Sequence, residues 1–95
     1  IQGLILNKSG RSTEAEKHLR DAVDLREKNL PQGHFMIALA KSALGECLTT
    51  RKKFTEAETL LLESFESLKQ SQGAENPRTV LAQNRLDALK QYRER

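Results

Sequence analysis

Glu14 and Glu16 stand two residues apart, and Glu56 and Glu58 repeat the arrangement. Paired carboxylates can divide into a general acid and a general base when their environments push their pKa values apart. His18, His34 and Cys47 are the only imidazoles and the only thiol of the chain. Such groups can ligate a metal or build an activated nucleophile. Their spacing supports neither chemistry. They form no CxxC or HxxxH pattern, and no histidine is placed by sequence to activate Cys47. The expected role of Cys47 is an inert, buried thiol on an apolar stripe. Both glutamate pairs follow a threonine, in Thr13-Glu14-Ala15-Glu16 and Thr55-Glu56-Ala57-Glu58. Thr-x-x-Glu is a capping box, in which hydroxyl and carboxylate each take a free amide of the first helical turn. The carboxylates are therefore read as caps that also complement the helix dipole. His34 is expected to serve a turn, and His18, beside Leu19, to lie half-exposed on a surface. The glycines, Gly3, Gly10, Gly33, Gly45 and Gly73, are scattered and make no phosphate loop. No catalytic residue, cofactor or metal is expected, and the segment is read as not an enzyme.

The two Thr-Glu-Ala-Glu stretches lie 42 residues apart, and the same offset holds elsewhere without a gap. It carries Gly3 to Gly45, Leu6 to Leu48, Leu19 to Leu61, Leu39 to Leu81, Ala40 to Ala82 and Leu44 to Leu86. Self-similarity at such a period marks a solenoid or array, whose units bury their apolar faces only by stacking on neighbours. The composition agrees. Of 95 residues, 37% are hydrophobic and 31% charged, a balance suited to thin helical layers, and good helix formers dominate. A chain of this size is marginal alone. The only methionine is Met36, and an apolar run, Ile1 to Leu6, opens the chain. It is read as a piece of a longer protein. A single cysteine excludes an internal disulfide, and no apolar run approaches the roughly 20 residues that span a bilayer. The expected location is cytoplasmic.

Break signals divide the chain into five helices. The first runs from Ile1 to about Lys8 and stops at Ser9-Gly10. The second starts at Thr13, with Ala15, Leu19 and Ala22 on one face, and ends near Leu30-Pro31-Gln32-Gly33. The third, from about Phe35 to Thr50, carries the stripe Ile37, Ala40, Leu44, Cys47 and Leu48. The fourth starts at Thr55, turns Ala57, Leu61, Ser64 and Leu68 inward, and ends near Gln72-Gly73. The fifth opens at Asn76-Pro77, where proline suits the first helical position, and carries Val80, Leu81, Leu86 and Leu89. Short connections make consecutive helices antiparallel. A glycine within a helix costs about 1 kcal/mol relative to alanine. The recurrence of Gly3 as Gly45 therefore predicts a close helix contact.

At these residues the chain resembles the tetratricopeptide repeat. Leu44-Gly45, Leu48, Ala57, Leu61 and Ser64 occupy the motif's positions, as do Gln2-Gly3, Leu6, Ala15, Leu19 and Ala22 in the first copy. The 42-residue period is similar to the longer variety of kinesin light chains and many bacterial proteins. The turns Gln32-Gly33-His34-Phe35 and Gly73-Ala74-Glu75-Asn76-Pro77 look like degenerate versions of that variety's turn. The second copy, from Ala43 through Thr79, is similar to repeats in the C-terminal regions of bacterial serine/threonine kinases. The resemblance implies an all-α superhelix of about five antiparallel helices, a single domain over 1–95. Its repeats would be about 1–34 and 35–76, with a partial third over 77–95. Asp87 replaces the glycine and Lys90 the aromatic or leucine of the third copy, as in a terminal, capping-type repeat.

The resemblance also implies a protein or peptide bound on the concave face, which the first helix of each repeat lines. That face would hold Leu4, Asn7 and Lys8; Ser42, Glu46, Thr49 and Thr50; and Asn84, Ala88, Gln91 and Tyr92. Their amides and hydroxyls would suit the backbone of an extended peptide. The alternative is a regulatory or oligomerisation module of a larger signalling enzyme such as a bacterial serine/threonine kinase. The last helix, left uncovered around Leu86 and Leu89, would then be a place for self-association. The basic run Arg51-Lys52-Lys53 reads as a solvated turn at a helix C-terminus. Arg85, Lys90, Arg93 and Arg95 form a second basic zone, but only Tyr92 is nearby to stack on bases, so neither nucleic acid nor membrane is an expected partner.

Overall fold

The computed structural model describes residues 12–94. The first predicted helix, with Gly3, Leu4, Leu6, Asn7 and Lys8, lies outside the described residues. The other four are present as α1 (Ser12–Asn29), α2 (Phe35–Thr50), α3 (Phe54–Gln72) and α4 (Pro77–Glu94), and no strand occurs among the described residues. Each helix packs on the next, and α2 also touches α4. The chain is thus an all-α stack of helical hairpins.

The apolar stripes meet in one main core. Val23, Ala40, Leu44, Leu48, Ala57, Leu61, Leu86 and Leu89 form it, with Leu19, Phe54, Leu60 and Phe65 packed around them. A smaller cluster joins Ala38, Leu68 and Ala82 at the other end. In α3 the four expected residues, Ala57, Leu61, Ser64 and Leu68, are all fully buried. In α2, Ile37, Ala40, Leu44 and Leu48 are buried as expected, while Cys47 is half-buried. In α1, Leu19 and Ala22 are half-buried, Ala15 is exposed, and the deepest apolar side chain is Val23.

The fifth predicted helix needs two corrections. Leu86 and Leu89 are covered by their own chain at 9% and 1% exposure, whereas Val80 and Leu81 are 41% and 44% exposed. The buried face of α4 is Thr79, Ala82, Leu86 and Leu89. Val80 and Leu81 fall one and two residues out of that phase, about 100° and 200° around the helix. The uncovered apolar side chains of α4 are therefore Val80, Leu81 and Tyr92.

The close contact predicted at Gly45 is present. A Cβ there would stand 2.7 Å from Cγ and Cδ2 of Leu61, so Leu61 packs directly on the glycine and would have to shift for any side chain there. Its counterpart 42 residues on is Asp87, which is exposed. The helix starts repeat as well. The Nδ1 of His34 accepts from the backbone N–H of Met36 at 3.1 Å, and the Oδ1 of Asn76 accepts from that of Arg78 at 2.9 Å. These two caps are 42 residues apart, and the turn role expected for His34 is an N-cap.

The predicted capping boxes are not formed. α1 begins at Ser12 and α3 at Phe54, so Thr13 and Thr55 both lie inside their first turns. The cap position of α3 is Lys53, with no side-chain cap bond. The cause is the tight connection from α2. Lys52 donates to the carbonyl of Thr49 at 3.0 Å and Lys53 to that of Leu48 at 2.9 Å, the Schellman pattern. That pattern sends Lys52 to φ 65° and leaves Phe54 to start the next helix. A non-glycine residue in the left-handed region costs on the order of 1–2 kcal/mol. Lys52→Gly is accordingly expected to raise stability by about 0.5 kcal/mol once glycine's extra unfolded-state entropy is subtracted. Urea unfolding midpoints check this, and an unchanged or lower midpoint would contradict it.

Candidate interaction groove

The carboxylates singled out above hold the stack together. Glu16 is 8% exposed and receives three cations. Arg20 donates to it at 3.0 Å, Lys53 at 3.2 Å and Arg51 at short range. Arg20 also forms a two-pronged pair with Glu56, at 2.7 and 3.0 Å. Burial pushes the Glu16 carboxyl up, but hydrogen bonds from Arg20 and Lys53, and their charges, outweigh it and leave it below its ordinary value. The Glu56 carboxyl is lowered by the Arg20 hydrogen bond against a smaller effect of burial. Neither glutamate is held as a proton donor, so no acid–base pair is assembled here. The basic run is also more than a solvated turn, since Arg51 and Lys53 both close on Glu16. One of these ties recurs: Arg51–Glu16 returns 42 residues on as Arg93–Glu58 at 3.0 Å.

Burial, and then the charge of Glu16, pushes the Cys47 thiol up, which keeps it protonated and a poor nucleophile. His18 is exposed. Among the described residues no group of three His, Cys, Asp or Glu side chains is arranged to hold a metal ion.

The feature suited to a ligand is a groove of about 560 Å³ between α2 and α4, lined also by α1. α2 contributes Ala43, Glu46, Cys47, Thr49 and Thr50; α4 contributes Leu81, Asn84, Arg85, Ala88 and Tyr92; α1 contributes Ala15 and Leu19. Of the residues expected on the concave face, Glu46, Thr49, Thr50, Asn84, Ala88 and Tyr92 are brought together here. Ser42 lies beneath the groove at 1% exposure, its Oγ accepting from Nη1 of Arg85 at 2.8 Å. Gln91 is exposed but outside the lining. Asn7 and Lys8 lie outside the described residues. Sequence reasoning missed Ala43, Leu81 and Arg85, and placed Ala15, Leu19 and Cys47 on inward stripes. The repeat held the signal, because Arg85, Ala88 and Tyr92 follow Ala43, Glu46 and Thr50 by 42 residues. The groove walls are thus the same strip of two successive repeats.

Thr49 Oγ1 donates to the carbonyl of Gly45 at 2.9 Å, and Thr50 Oγ1 to that of Glu46 at 3.3 Å. Such back-bonding to the preceding turn is the usual outlet for a helical threonine hydroxyl. Arg85 reaches across to Glu46 at 3.5 Å, so the two charges of the lining oppose each other. A larger hollow, about 700 Å³, runs along α3 beside Gly33, Leu62, Glu66 and Gln70. It is shallower and is walled by one helix and a turn, whereas the groove gathers side chains from three helices.

Residues 3–35 match the family model of the tetratricopeptide repeat, which supports such a repeat in that stretch. The kinesin-light-chain-like variety suggested by the 42-residue period is in line with this match. Repeats of this family are generally modules of protein–protein interaction and generally non-catalytic. No curated protein and no solved structure matches the chain. No helix among the described residues is long and apolar enough to cross a membrane.

Proposed function

We propose that this segment is a non-catalytic interaction module that binds a protein or peptide partner in the groove between α2 and α4. One observation carries the reading. Equivalent strips of two consecutive repeats face a common groove, and six of the residues expected on the concave face line it. A repeat stack presents such a surface continuously, and its walls vary in side chain while the backbone stays regular. Arg85, Ala88 and Tyr92 stand where the preceding repeat has Ala43, Glu46 and Thr50.

The test is affinity capture from an extract of the source cell with the wild-type chain and with Ala88→Arg. Ala88 is half-buried in the groove wall, and a longer, charged side chain there would obstruct it. Helicity and unfolding midpoint are measured in parallel to show that the fold is kept. A partner whose recovery falls about tenfold or more in the variant supports groove binding. A partner recovered equally by both overturns it. Recovery only of the parent polypeptide, unaffected by the variant, would favour a regulatory or oligomerisation role within a larger signalling enzyme such as a serine/threonine kinase.

A further inference from the structure

We infer that the outer face of α4 is sealed against further stacking: Asp87 and Lys90 keep another helix from docking there in the register of the repeat. The 42-residue offset makes α4 the counterpart of α2, so the packing of α2 shows what a following helix requires. α3 settles on a strip of α2 that holds Ala38, Gly45 and Leu48. Ala38 is 2% exposed and clusters with Leu68 of α3. Gly45 takes Leu61 where a Cβ would come within 2.7 Å. Leu48 is fully buried, in one cluster with Ala57 and Leu61. The three positions, i, i+7 and i+10, share one side of the helix.

The same strip of α4 holds Val80, Asp87 and Lys90, and all three are exposed. A helix docked on α4 as α3 docks on α2 would bring its leucine against Asp87, whose Cβ alone would force that leucine to shift. It would also take a carboxylate and an ammonium out of water where α2 has a glycine and a buried leucine, which is costly. Paired with each other, the two would still form a buried ion pair, whose desolvation offsets its attraction. The flanking positions change in the same sense: Ser42 and Thr49, both buried, return as Asn84 and Gln91, both exposed. Val80 is the one apolar side chain of the strip, and a single exposed residue of that kind needs no cover. A repeat stack needs a polar outer face at its end to stay soluble. The two charges therefore act against self-association through α4 as well as against a further helix. The role is separate from the groove, whose lining includes neither residue.

The probe is the chain's own α3 as a labelled synthetic peptide, residues 54–72, titrated by fluorescence anisotropy against the full chain. Wild type is compared with Lys90→Leu and with Asp87→Gly/Lys90→Leu, which restore the residues of the preceding repeat. Circular dichroism checks that each variant keeps its helicity. Lys90→Leu is expected to bind the peptide more tightly than wild type, and the double variant at least about tenfold more tightly. A peptide carrying Leu61→Ala should lose that gain, because Leu61 is the side chain that meets the glycine in the established contact. Wild-type binding as tight as that of the double variant, no gain in either variant, or a gain that the Leu61→Ala peptide keeps would overturn the sealing role. In sedimentation equilibrium, a wild-type dimer that Val80→Glu dissolves would overturn it as well.

Discussion

Leu61→Ala is expected to destabilise the chain by about 3–5 kcal/mol, the upper part of the range for truncating a buried leucine. Leu61 is fully buried at the centre of the main core, between α2 and α3. Its side chain also fills the space over Gly45, where a Cβ would come within 2.7 Å. The truncation would therefore change the consequence of a second substitution. Gly45→Ala alone introduces an overlap costing about 1–3 kcal/mol, less about 1 kcal/mol of better helix propensity, a net loss of on the order of 1 kcal/mol. With Leu61→Ala in place the overlap is gone, and the same Gly45→Ala should gain about 1 kcal/mol. Urea unfolding of the two single variants and the double variant measures the cycle. Simple additivity would show that the α2–α3 separation is not set at this contact.

The second large effect lies at Glu16. Glu16→Gln is expected to cost about 1–2 kcal/mol near neutral pH. Removing one member of a buried ion pair costs about 3–5 kcal/mol, but solvent screening reduces that here. The side chains of Arg20 and Lys53 are 39% and 45% exposed, and that of Arg51 is 28% exposed. The effect has a defined pH dependence. The Glu16 carboxyl is lowered in the folded chain from its ordinary 4.5. Its contribution is therefore complete above that value and is lost as pH falls through the folded-state pKa. Wild type and variant should differ near pH 7 and converge in acid, as read from unfolding midpoints at each pH. Glu16 also lies in the first turns of α1, where any carboxylate gains from the helix dipole. A double-variant cycle with Arg51→Ala separates the two origins. Coupling of about 1 kcal/mol identifies the tie between helices, and coupling near zero assigns the effect to the dipole.

Much of the stack was legible in the sequence. Buried positions of α3 followed from Ala57, Leu61, Ser64 and Leu68, because one helix packed on both sides keeps a simple 3.6-residue rhythm. The turns at Gly33 and Gly73 followed from glycine's access to positive φ, which both adopt. Cys47 was read as buried on its stripe, whereas it is half-buried and lines the groove. Thr13 and Thr55 misled as caps. A short connection moved the start of α3 forward by one residue, and a capping signal does not register where the preceding helix ends. Arg85 was counted in a basic zone, because charge alone does not show that a guanidinium folds back onto Ser42 and Glu46.

The sequence by itself determined that this chain is a repeating helical stack. The 42-residue offset and the helix-forming composition are local or periodic properties, and each unit carries them on its own. Only the tertiary structure decided which face of α4 is covered, where the Glu16 carboxylate finds its partners, and that Arg85 folds onto Ser42 and Glu46. Those outcomes depend on the phase and separation of helices distant in sequence. At the α2–α3 contact that separation is set where Leu61 meets Gly45, and no single helix contains that information.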